Sequence, residues 1–285
     1  MDQNNRPAVD STNDNSAAPR RSTKKKVTQI ILYILMAVCV VVLGVSGYKI
    51  YETWNEERTI QKETDAFNQY VTGNNAAGDE NGQMSEEAPS FTVDWEGLKA
   101  ANPNINAWIL VPGTGISYPV VQAMDNDYYL NHSFNGAYNR LGAVFLDCTQ
   151  NPDYQNQNSI IYAHTADVGG MFTNLKDFND LEFFNAHPYF WLLTPSQNYR
   201  CTINAFYAGT DDSPIYTTDF GDYRKDILDE IQNVSLYYRP LEYRNHNFVT
   251  LSTCNMDFGV HSDQRFALMG MMEKWSAPIP APEEN

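Results

Sequence analysis

The stretch FVTLSTCNMDF, residues 248–258, places a cysteine where a run of strand-forming residues gives way to a loop. Side chains on a strand alternate faces, so Val249, Leu251 and Thr253 share one side, and Phe248, Thr250, Ser252 and Cys254 share the other. The first set reads as core. Cys254 stands with two hydroxyls at the strand's C-terminal end, the place for a displayed thiol rather than a small hydrophobe, although Phe248 on the same face weighs the other way. The next strand opens at Arg265, after the loop NMDFGVHSDQ. If the two strands pair as an antiparallel hairpin, Cys254 and Arg265 are neighbours across the ladder. A guanidinium there favours thiolate and can donate hydrogen bonds to a developing oxyanion.

A nucleophilic thiol works with an imidazole. His164 ends the apolar run SIIYAH and so sits at the C-terminal edge of a strand. The two edges converge if that strand runs parallel to 248–254. His261, seven residues past Cys254, is the rival. His187 precedes Pro188 and reads as a helix end, and His132 and His246 lie in polar loops. Spacing favours His164 over His261 without excluding the latter.

The elements that must position these groups are short. Eight β-type runs separated by turn signals are legible: AWILVP, ISYPVVQ, GAVFLD, SIIYAH, YFWLLT, YRCTINAFYAG, FVTLSTC and RFALMGMM. VDWEGLKAANPN reads as a short helix ended by Asn-Pro. MFTNLKDFNDLEFFNAHP carries a turn and a helix, and DYRKDILDEIQNVS puts Ile227, Leu228 and Ile231 on one helical face. Many short strands with few helices predict a mainly β, closed barrel or sandwich over 91–275.

The flanks differ. Residues 1–26 hold six of the 19 basic residues and three acids, whereas the rest of a chain of net charge −16 is acidic. Such a balance argues against nucleic-acid binding. Residues 27–50 form an apolar stretch long enough to cross a bilayer as a helix, longer than the apolar part of a cleaved secretory signal. With RRSTKKK before it, the positive-inside rule predicts a cytoplasmic basic tail (1–26), a transmembrane anchor (27–50) and an exterior chain. A helical stalk (51–71), a flexible linker (72–90) and a disordered tail (276–285) complete the expected layout. Three cysteines fall outside the span, so at least one is a free thiol unless chains cross-link, and whether Cys148 and Cys201 pair is left open. The histidines and cysteines are scattered, with no metal-ligand spacing, and no phosphate-binding glycine loop is present, so no cofactor or metal is expected.

TLSTC, an arginine eleven residues past its cysteine at the head of RFALMG, and IIYAH about ninety residues upstream together resemble the sortases, membrane-anchored cysteine transpeptidases of Gram-positive bacteria. NAWILVPGTGISYPVVQAMDNDYYLNHSF, GAVFLD, SIIYAHTADVGGMFTNL and LSTC…RFALMG are similar in order and spacing to class B members, as is the helix 223–234 before FVTLSTC. The resemblance implies a closed eight-stranded barrel and an extracellular enzyme held to the cell membrane by one N-terminal helix. It implies Cys254 as nucleophile, His164 as acid/base and Arg265 as stabiliser of the oxyanion or holder of the substrate backbone. The substrates would be sorting-signal peptides of secreted proteins, of LPxTG or NPxTG type. The acyl group would pass through a thioester to an amine of a cell-wall precursor or a pilin.

Asn126 and Leu130 match positions that line the peptide groove of class B relatives, and Ser252, on the Cys254 face, would touch the same peptide; the plain alternative is a loop capped by Asn and packed by Leu. Tyr128, Tyr129, Tyr162 and Trp108 are expected in the core, and Asp257 and Asp263 are read as loop acids rather than partners of His164. The family usually has Gly before the histidine, where this chain has Ala163. Residues 72–90 lack the Asp-Pro-aromatic lid of pilus-type sortases, which leans toward anchoring. Alternatives are a cell-surface cysteine peptidase, a pilin-polymerising enzyme and a non-catalytic membrane-tethered barrel.

Overall fold

The computed structural model describes residues 21–73, 90–166, 169–242, 245–259 and 262–280. The expected basic tail up to residue 20, and residues 74–89 of the expected linker, lie outside them. The chain divides into two units, residues 1–54 and 55–285. Helix α1 (Arg21–Asn68) contributes to both. Its N-terminal part exposes apolar side chains from Val27 to Tyr48 and, among the described residues, is the one helix long and apolar enough to cross a membrane.

The second unit continues with strands β1 (Val71–Thr72) and β2 (Ser90–Val93), helix α2 (Trp95–Ala101), and strands β3 (Ile105–Val111), β4 (Ile116–Val121), β5 (Val144–Leu146) and β6 (Asn158–Tyr162). After a 3₁₀ stretch at Thr173–Asn179 come helix α3 (Leu181–Ala186), β7 (Tyr189–Leu193), β8 (Asn198–Thr210), α4 (Arg224–Val234) and β9 (Tyr237–Tyr238). The chain then runs through β10 (Phe248–Cys254), β11 (Gln264–Trp275) and β12 (Ile279–Pro280). The strand order is β11-β10-β6-β5-β4-β3-β7-β8, and β8 pairs back onto β11, closing an eight-stranded barrel. All eight runs read from the sequence form its staves. The small strands β1, β2 and β12 form a separate sheet. Ile279 and Pro280, within the stretch expected to be disordered, pair with Phe91 and Ser90.

The alternation of each stave fills two cores. Val249 and Leu251 of β10 point into the barrel with Trp108, Leu268 and Phe206. The opposite face of β10 is also covered. Phe248 packs with Met269, Ile215 and Phe220 beneath Leu228 and Ile231 of α4. Burying each of those helix side chains contributes about 1.5–3 kcal/mol, which is why an otherwise polar α4 stays on the barrel. Gly270, in RFALMG, sits beside a register shift between β11 and β8, where an added Cβ would lie 2.6 Å from the Phe190 ring. The aromatic reaches the strand's backbone only because that side chain is missing.

The folded unit starts earlier than Phe91. Phe67 is 3 % exposed, and its ring meets Trp108, Tyr118 and Phe134 edge-on, with centroids 5.7, 5.2 and 6.0 Å away. Ile60 and Phe67, seven residues apart, share one face of α1 that the Glu/Gln/Lys-rich composition conceals, and Val71 of β1 is buried in the same core. Phe67→Ala in residues 55–285 is expected to lower unfolding stability by about 3–5 kcal/mol, measured by urea titration. A chain beginning at residue 72 should be destabilised further, and equal midpoints for the 55–285 and 72–285 chains would remove Phe67 from the core.

Candidate active site

Cys254, His164 and Arg265 meet because three strand ends meet. β10 and β11 are antiparallel, and their register sets Cys254 opposite Arg265, as the hairpin reading requires. β10 and β6 are parallel, with Ser252 level with Tyr162. Two residues further on, the same register brings Cys254 level with His164. Parallel partners point to the same side of a sheet, so thiol and imidazole face one groove.

That groove has a volume of about 460 Å³, and its walls include Asn126, Leu130, His164, Ser252, Cys254 and Arg265. All six residues singled out in the sequence therefore line one cavity. His164 Nε2 donates to the Leu130 carbonyl at 2.9 Å, and Nδ1 has no partner among the described residues. Neither Asp257 nor Asp263 holds this ring. The Asp257 N–H donates to Asn255 Oδ1, and the Asp263 carboxylate accepts from the Gln264 amide. The rival His261 lies outside the described residues. His132 stacks on Tyr128, His187 caps α3 and His246 bonds the Met272 carbonyl.

The loop carrying Leu130 is firmly held. Asn102, at the C-terminal cap of α2, donates to the Tyr129 hydroxyl and the Phe134 carbonyl at 2.9 and 2.6 Å. Gly142 (φ +65°) lets the chain approach so closely that a Cβ would sit 2.4 Å from the Tyr129 carbonyl oxygen. The Asn126 amide is engaged within the protein: Oδ1 accepts from the Cys148 N–H at 2.8 Å and Nδ2 donates to Asp147 at 2.9 Å. Asn126 thus clips its loop to the residues that follow β5 as well as lining the groove. Ser252 is 2 % exposed and its hydroxyl is 2.8 Å from that of Tyr216. Tyr216 lines the same groove and went unremarked in the sequence; a lone Tyr after Ser-Pro-Ile carries no motif. Of the four aromatics expected in the core, Trp108 and Tyr129 are fully buried and Tyr162 partly so, whereas Tyr128 is exposed.

Arg265 is oriented by three acceptors. Nη1 donates to the carbonyls of Ser262 and Gln264 at 2.8 and 2.9 Å, and Nη2 pairs with Asp211 at 2.8 Å. Burial pushes the Tyr216 phenol up to about 12, against the bond from Ser252 and the nearby Arg265 charge, so it remains a neutral hydroxyl at the groove wall. Burial also raises the Asp147 carboxyl, but hydrogen bonds from Thr149, Asn126 and Tyr162 outweigh it and hold the group below its ordinary value. The buried thiol of Cys201 is pushed well up by burial, and Cys148 and Cys201 are both unpaired. Ala163 fits without strain: among the described non-glycine residues only Tyr154 and Met171 have positive φ. Among the described residues no cluster suited to a metal ion occurs.

A mainly β barrel with a thiol, an imidazole and a guanidinium at one rim defines the architecture of a sortase. No family model matches the chain. It is 30 % identical over 227 residues to sortase B of Listeria monocytogenes, an alignment covering 78 % of this chain and 89 % of that one. A Bacillus anthracis crystal structure described as similar to sortase B superposes with TM-score 0.62 at 28 % identity, covering 78 % of this chain and 98 % of that one. A Streptococcus pyogenes class B sortase involved in pilus biogenesis superposes with TM-score 0.58 at 34 % identity, covering 64 % and 98 %. The chain belongs to the class B sortases. It is accordingly an enzyme, a cysteine transpeptidase of the sortase type.

The depressed Asp147 carboxyl gives a pH test. A carboxyl held below its unfolded value near 3.8 contributes stability that is present above that pH and lost as pH falls through the folded value. Asp147→Asn should lower the melting temperature at pH 7 and narrow the difference between pH 7 and pH 3. An unchanged difference would mean that the Asn126–Asp147 clip contributes nothing to the acid limb.

Proposed function

We propose that Cys254, His164 and Arg265 are the catalytic residues of a membrane-anchored transpeptidase acting on sorting-signal peptides of secreted proteins. The observation that carries this reading is their convergence on one groove from the ends of β10, β6 and β11. The Cys254 thiolate attacks the carbonyl carbon of a Thr–Gly-type bond, forming C–S and a tetrahedral oxyanion. Arg265 has an Nε hydrogen and one Nη2 hydrogen beyond its protein contacts, and these stabilise that oxyanion or hold the peptide backbone. As the C–N bond breaks, the His164 imidazolium delivers its proton from Nδ1 to the leaving amine. The resulting thioester is attacked by an amine of a cell-wall precursor, His164 takes back a proton, and thiolate leaves as the new amide forms.

Leu130 and the carbonyl-bonded His164 form the wall against which the first residues of the peptide lie. Asn126 supports that wall and lines the groove beside it. Ser252 acts there with Tyr216. The apolar part of α1 supports a single-pass anchor with residues 1–26 cytoplasmic and the barrel outside. Peptide cleavage without an acceptor amine, as in a surface peptidase, uses the same steps with water in the second half. The pilus-related relative favours a second reading in which the acceptor is a lysine of a pilin.

The test uses the full chain in detergent with LPxTG, NPxTG and PPxTG peptides, with and without an amine acceptor. Cleavage is expected to yield a ligated product when amine is present. Cys254→Ala and His164→Ala should each lower turnover by about 10³-fold or more, and Arg265→Ala by about 10²–10³-fold. Undiminished cleavage by Cys254→Ala would sink the reading. Loss in His261→Ala but not His164→Ala would move the acid/base role to His261.

A further inference from the structure

Strand β6 ends at Tyr162, yet the chain stays against β10 for three more residues. The Ala163 N–H still donates to the Ser252 carbonyl at 3.2 Å, continuing the parallel ladder. Beyond that point side chains take over. Thr253 Oγ1 donates to the Ala163 carbonyl at 2.8 Å, and Thr165 Oγ1 donates to the Cys254 carbonyl at 2.7 Å. The two hydroxyl oxygens are 2.8 Å apart. The Cys254 carbonyl points away from β11, because Cys254–Arg265 is flanked by the bonded pair Asn255–Gln264 and exchanges no backbone bonds itself. Thr165 therefore supplies the contact that a backbone N–H would make if β6 were longer.

We propose that Thr165 is a positioning residue for the transpeptidation reaction: its hydroxyl sets the separation of His164 from Cys254. The inference rests on the reading that these two groups react together. Thr165 follows the imidazole in sequence and grips the nucleophile's own carbonyl, so one hydrogen bond spans the two reacting residues without touching substrate. Its strand-like pairing with Met171 orients the backbone that aims the hydroxyl. Beyond the end of β6 the His164 carbonyl accepts from the Phe172 N–H and the ring bonds Leu130, but neither of these contacts reaches β10; the Thr165 hydroxyl does. A reacting pair displaced by a fraction of an ångström loses rate while peptide binding along the groove is preserved.

The test compares Thr165→Val, which keeps the shape and removes the donor, with Thr165→Ser, which keeps the donor, in the full chain. Thr165→Val should lower kcat roughly tenfold with KM within about twofold, and Thr165→Ser should restore kcat to near the parent value. The pH profile of Cys254 alkylation, followed by peptide mass mapping, should be displaced in the Val variant and parental in the Ser variant. Should Thr165→Val melt below the assay temperature, Thr165→Ala is held to the same expectations. Unchanged kcat in Val, equal loss in Val and Ser, or a loss confined to KM would each overturn the proposal. Activity surviving in Cys254→Ala would instead overturn the reading beneath it, and the two failures are separable.

Discussion

The parallel register between β6 and β10 is the constraint on which the rest depends. It levels His164 with Cys254 and turns both side chains to one face, while the antiparallel partner β11 brings Arg265 from the other side. Two groups ninety residues apart become neighbours through backbone geometry, before any side-chain contact is considered. Everything around that seam supports it: α4 covers the outer face of β10, and the Asn102-anchored loop delivers the Leu130 carbonyl to the imidazole. A one-residue slip between β6 and β10 would turn His164 into the wall and leave the thiol facing Thr165.

Much of this was legible in the sequence, for a physical reason. Strand alternation is a strong local signal, and all eight staves and the apolar stripe of α4 follow from it. The hairpin linking Cys254 to Arg265 was legible because only a short loop separates the strands. The pairing of β6 with β10 was not, since a parallel pair needs a long crossover and leaves no local trace. The sequence offered His164 as an edge residue only on the condition that the strands run parallel.

Two features escaped. The C-terminal turns of α1 read as a polar stalk because Ile60 and Phe67 are diluted by charged neighbours, yet Phe67 is central to the aromatic packing on Trp108. The face of β10 that carries Phe248, Thr250, Ser252 and Cys254 read as the more polar one, with no sign of what covers it; α4 and the segment around Ile215 and Phe220 roof it over. Only its last residues remain at the groove, so Ser252 meets Tyr216 rather than solvent. Partner elements from distant sequence decide such burial, and alternation within one strand cannot reveal them.

The pairing of β8 with β11 closes the barrel. An open sheet ends in rows of unused amides and carbonyls, which let an extended chain join as one more strand whatever its side chains are. Closure takes that indiscriminate mode away from the barrel's ends. An extended peptide reaching the barrel must be judged by the groove's side chains, and chains whose side chains do not suit it are not collected there.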